Sequence, residues 1–65
     1  MYNLENELKI DIINQRQGEN LARINSIEIK KEECSNQELI DQYNSSINEL
    51  MAKNAALESL KEILI

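Results

Sequence analysis

Three pairs of carboxylates stand four residues apart: Glu7 with Asp11, Glu28 with Glu32, and Glu58 with Glu62. On a helix that spacing puts both side chains on one face, the arrangement from which a hard cation can be chelated. Cation sites of this kind in helical bundles join glutamates to histidines, and the chain has no His. The pairs therefore read as solvated acidic faces. The lone Cys34 has no second Cys for a disulfide and no His with which to build a zinc site; it reads as a small half-buried residue in a reducing compartment. Tyr2 and Tyr43 are the only aromatics, and Tyr43 is expected to pack its ring between helices with its hydroxyl at the surface. No nucleophile has a base beside it, and no glycine-rich phosphate loop exists. The expectation is a protein that is not an enzyme, with no catalytic residue, cofactor or metal.

The elements that carry these side chains are helices. Pro is absent and Gly18 is the single glycine, so the strongest punctuators of local structure are nearly missing. Leu, Glu, Lys, Gln, Arg and Ala, all good helix formers, fill most positions. A short alternation at Ile24 to Lys30 could suggest a strand, but nothing nearby would pair with it. In CSNQELI, Ser35 precedes Glu38 by three residues and then Leu39 and Ile40 follow. This matches a capping box, in which the Ser35 hydroxyl accepts from the Glu38 N–H and the carboxylate reaches back. A helix is expected to start at about Asn36, with one unbroken helix through the whole chain as the alternative.

From there Ile40, Tyr43, Ile47, Leu50, Asn54, Leu57, Lys61 and Leu64 recur in alternating steps of three and four, the spacing of a coiled-coil seam. A weaker row, Ile10, Ile13, Gln17, Asn20, Ile24, Ile27, Lys31 and Cys34, runs through the first half, with Leu21 beside the polar Asn20. Folding the chain back at residues 34–36 sets Ile27 against Tyr43, Ile24 against Ile47, Leu21 against Leu50, Ile13 against Leu57, Ile10 against Leu60 and Leu4 near Leu64. Gln17 falls opposite Asn54, a core amide that can penalise slipped alignments or, if the seam shifts to Lys53 or Ala55, one that faces solvent. The polar stretch NQRQGEN at residues 14–20 thus meets the polar position of the second row, which favours a helix continuous through Gly18. The alternative is a break at Gly18 with Asn20 capping a third helix. The sequence predicts one all-α domain over 1–65, an antiparallel helical hairpin with coiled-coil-type packing: helix about 3–33, turn about 34–36, helix about 36–64.

The stretch SNQELIDQY is faintly similar to the Ser-Gln-x-Leu-Asp signature of the small helical-hairpin phosphatases that act on aspartyl-phosphate response regulators. Size, hairpin and acidic character match that family. Asn36 separates Ser35 from Gln37 and Ile40 stands between Leu39 and Asp41, so no functional residue carries over. The resemblance would imply turnover of an acyl phosphate that depends on Asp41.

A 65-residue chain buries too little surface to be strongly stable alone and usually needs a disulfide, a metal or a partner chain. With the first two removed, association remains. Side chains left off the seam, Leu8, Ile12, Ala22 and Ile29 on the first helix and Leu39, Ala56, Leu60 and Ile63 on the second, form a second, discontinuous apolar stripe that marks an interface. A homodimer of hairpins, making a four-helix bundle, buries it most simply; a larger protein partner would do the same. The net charge is −5, and the basic residues Lys9, Arg16, Arg23, Lys30, Lys31, Lys53 and Lys61 look scattered. No basic stripe is expected, and no direct nucleic-acid partner. No apolar run reaches the length of a membrane span or a signal-peptide core, so no membrane contact is expected and the chain reads as cytoplasmic or housed in a virion assembled there. Short length, Asn- and Ile-rich usage and the lack of enzyme features point to a minor assembly component of a phage particle or other complex, or to a small regulator that blocks a host protein.

Overall fold

The computed structural model describes residues 3–65, which form two helices, α1 (Leu4–Glu32) and α2 (Gln37–Leu64), packed along their length. Tyr2 lies outside the described residues. The fold is an all-α hairpin, and cross-links from Asn6 to Leu64, Gln17 to Asn54 and Lys31 to Asn44 show that the helices run antiparallel. It is a thin rod of 54 × 15 × 10 Å.

Each helix end is closed by the chemistry of its own residues. Asn3 caps α1 by accepting from the Asn6 N–H at 3.2 Å, and Glu5 and Glu7 in the first turn complement the positive end of the helix dipole. At the other end the Glu33 N–H bonds Ile29 O and the Cys34 N–H bonds Lys31 O, with Lys30 and Lys31 beside the exposed carbonyls. α1 runs unbroken through Gly18, whose φ is not positive.

The cap of α2 is Asn36, one residue beyond the expected Ser35. Its side-chain oxygen accepts from both the Glu38 N–H at 3.0 Å and the Leu39 N–H at 3.4 Å. Asn caps as well as Ser, and here one oxygen serves two orphan donors. The capping box is consequently absent, because Glu38 now sits too early in the helix to reach back to the cap.

The packing surface is a single seam. On α1 the residues that are not exposed are Asn6, Ile10, Ile13, Gln17, Asn20, Ile24, Ile27 and Lys31, with Cys34 continuing the row in the turn; on α2 they are Ile40, Tyr43, Ile47, Leu50, Asn54, Leu57, Lys61 and Leu64. Both rows step alternately by three and four, the period of knobs-into-holes packing. Ile13, Ile24, Ile47 and Leu50 are buried, with Ile27 against the last three. Three expected pairings are corrected. Leu21 is 60% exposed, and Asn20 takes its place because its amide can donate to Asn54 Oδ1 at 2.8 Å across the seam. Leu60 is likewise not opposite Ile10 in the seam: it is 47% exposed and the seam position is Lys61. Leu4, expected near Leu64, is exposed, and the Asn6 amide reaches the Leu64 carbonyl instead.

Candidate functional site

At the centre of the rod the seam turns polar and its amides are bonded to one another. Gln17 Nε2 donates to Asn54 O at 3.3 Å and to Glu58 Oε2 at 2.9 Å. In return Asn54 Nδ2 donates to Gln17 O at 3.3 Å. Lys61 Nζ donates to Asn14 Oδ1 at 3.0 Å and Gln17 Oε1 at 3.2 Å and pairs with Glu58 at 3.1 Å. The hydrogen bond from Gln17, the bond from Lys61 and that lysine's charge hold the Glu58 carboxyl below its ordinary value of 4.5, against a smaller opposing effect of desolvation. Asn54 is half-buried within this network. Cys34 is half-buried at the turn with Sγ 3.7 Å from Asn36 O. Asp41 accepts from Gln37 Nε2 on the exposed first turn of α2. Among the described residues no group of three or more Cys, His, Asp or Glu is placed to hold a metal ion, and no helix is long and apolar enough to cross a membrane.

The surface is divided by the seam into two sides. One side carries two shallow adjoining grooves, lined by Arg16, Glu19, Arg23, Ala56 and Leu60 in one and Ala22, Ser26, Lys30, Ser46 and Glu49 in the other, with Arg23 and Lys53 common to both. Lys9, Arg16, Arg23 and Lys30 recur every seven residues, and a helix with that repeat presents them along one line beside the seam. With Lys53 they place five of the seven basic side chains on this side. Glu5, Glu19 and Glu49 stand among them, and Glu5 and Glu49 pair with Lys9 at 3.7 Å and Lys53 at 3.6 Å. Among the described residues Arg16, Arg23 and Lys30 have no carboxylate partner. The basic residues are therefore not scattered, and a basic row exists; its seven-residue spacing was readable in the sequence.

The other side is marked by Asn14, Asn44 and Glu58, which bond the seam residues Lys61, Lys31 and Gln17. Steps of seven from these three place Glu7, Leu21, Glu28, Met51 and Ile65 on the same side, and Asp11, Glu32, Asp41 and Glu62 lie one turn away from them. This side thus bears seven carboxylates and no basic residue except the two seam lysines that bend toward it. They crowd toward its two ends. Between them lies an uncharged middle containing Gly18, Leu21, Asn25, Asn48, Met51 and Ala55, in which Leu21 is 60% and Met51 55% exposed.

The residues expected to form a second, discontinuous apolar stripe are spread over the groove side and the back of α1. Leu60, Ala56 and Ala22 line the grooves, and Ile12, Leu39 and Ile63 fall on the same side by their seven-residue relation to Glu19, Ser46 and Ala56. Leu8 and Ile29 sit farther out, on the back of α1 with Ala22 between them in the same seven-residue row. All are exposed. No protein family, curated protein or solved structure matches the chain.

Proposed function

We propose that this hairpin is a non-enzymatic interaction module that works by associating with further helices, most simply other copies of itself, as an assembly component of a multiprotein complex such as a phage particle. The observation that carries this reading is the balance of apolar surface. Four hydrophobic side chains are buried, whereas ten large ones, from Leu4 to Ile65, are exposed, with Ile63 at 79%. A rod of two helices has no interior in which to hide them. Its accessible surface of 5117 Å² exceeds the roughly 4,200 Å² of a compact monomer of its mass, and packing another helix pair along it removes that excess from water.

Sedimentation equilibrium over a wide concentration range, with circular dichroism on the same samples, tests the proposal. Association with high helicity is expected, and Leu60→Glu with Ile63→Glu should shift the chain toward monomer. A fully helical wild-type chain that stays monomeric at every concentration would sink the self-associating version. A second reading, a small acidic regulator that blocks another protein, is favoured by the carboxylate-rich side. It predicts a stoichiometric complex through residues such as Glu28, Glu32, Glu58 and Glu62 that weakens as salt rises.

A further inference from the structure

From the opposite charge of the two sides we infer that copies of the chain stack head to tail, the carboxylate-rich side of one hairpin seated on the lysine- and arginine-rich side of the next. This deepens the self-association proposed above and rests on it.

The charge pattern selects among the ways two copies can meet. A closed dimer made by apposing the two carboxylate-rich sides would set seven carboxylates against seven. Like charges brought face to face cost free energy and suppress that pairing. A closed dimer through the groove sides would bring Arg23 and Lys53, which already face each other across the grooves, onto the same two residues of the partner, while leaving the opposite carboxylates and the exposed Leu21 and Met51 uncovered. Stacking unlike sides covers both. It gives Arg16 and Lys30, which lie toward the two ends, the carboxylates they lack within one chain.

The layout along the rod also suits a stack. Glu7 and Asp11 on α1 and Glu58 and Glu62 on α2 gather near the open end of the hairpin, level with Lys9 and Arg16. Glu28, Glu32 and Asp41 gather near the turn, level with Lys30. A copy laid in the same orientation therefore meets opposite charge at both ends. In the middle, Leu21 and Met51 lie over the grooves, where the alkyl stems of Arg23 and Lys53 offer apolar cover. A contact between two different sides leaves one of each kind free after every addition, so it propagates unless the rotation between copies closes a ring.

The experiment uses two variants of the whole chain, compared with wild type by sedimentation velocity at low and high salt. One reverses the acidic side, Glu28→Lys with Glu62→Lys; the other reverses the basic side, Arg16→Glu with Lys30→Glu. All four positions are exposed helix sites, and matching circular dichroism establishes that both variants fold; the neutral pair Glu28→Gln with Glu62→Gln gives a milder change in the same direction. Wild type is expected to associate more weakly in high salt by about 10-fold or more. Each variant alone should lose association by about 10-fold or more, the acidic-side variant doing so although its net charge is closer to zero. An equal mixture of the two should associate with both chains present in equal amounts. Either variant associating alone as wild type does, or a mixture that stays monomeric, would overturn the stack while leaving self-association intact. A monomeric wild type would remove both.

Discussion

Single residues at the polar middle of the seam decide how the two helices are tied together. Asn20 and Asn54 are half-buried and bonded at 2.8 Å, so removing Asn54 strands the Asn20 amide, and removing Asn20 leaves Asn54 Oδ1 without its donor while Asn54 Nδ2 keeps its bond to Gln17 O. A double-mutant cycle with Asn20→Leu and Asn54→Leu should show a coupling of about 0.5–1.5 kcal/mol, with the double variant more stable in urea than either single one. Additive effects would mean that the amide pair contributes nothing as a pair. Glu58 makes a prediction with a definite sign. Its folded carboxyl titrates below 4.5, chiefly through the bond from Gln17 and then through Lys61, so its contribution is fully present above that ordinary value and is lost as the pH falls through the depressed one. Thermal melts taken down through the acid range should therefore fall less steeply in Glu58→Gln than in wild type; an identical acid limb would contradict the assignment. Gly18 is a third case. A Cβ built there meets nothing within 4 Å and its φ is not positive, so Gly18→Ala should stabilise the hairpin by about 1 kcal/mol, read as a rise in melting temperature.

At the scale of the helices, what was legible in the sequence was what has a period. Two rows stepping by three and four specify two amphipathic helices whatever the loop does, and the continuity of α1 through Gly18 follows from the row on its far side resuming in step at Asn20 and Ile24. The cap was harder. Ser35 and Asn36 are equally good capping residues in adjacent positions, and the Glu38 that favours Ser35 is outweighed by an Asn36 oxygen bonded to two N–H groups. Only geometry separates them. Asn36→Ala should accordingly cost about 1 kcal/mol and Ser35→Ala a few tenths, a ranking that chemical denaturation of the two variants would reverse if Ser35 were the cap. Leu21 misled for a related reason: hydropathy places it in the seam ahead of Asn20, but an Asn facing Asn54 satisfies two amides at once, and a leucine there would satisfy neither. The row Lys9, Arg16, Arg23, Lys30 is legible only as a period, because cations seven residues apart look scattered along the chain and align once the helix is wound.

For the whole molecule, a rod 54 Å long and 15 Å wide has two broad sides and almost no interior, so its stability and its interactions are one problem. The turn confines the two helices to each other and sets their register through a loop of four residues, 33–36. What it cannot do is cover Ile12, Leu60 and Ile63 on one side or Leu21 and Met51 on the other. If association supplies that cover, folding and assembly are linked by mass action, and the melting temperature should climb with protein concentration by an amount set by the ratio of concentration to dissociation constant. Melts across a hundredfold dilution series test this directly. A rising midpoint in wild type, flattened in Leu60→Glu with Ile63→Glu and restored by neither salt nor added helix formers, would place the missing stability in the contact between chains. A midpoint independent of concentration would place it within the hairpin, and the four buried side chains with their central amide network would then have to hold the fold by themselves.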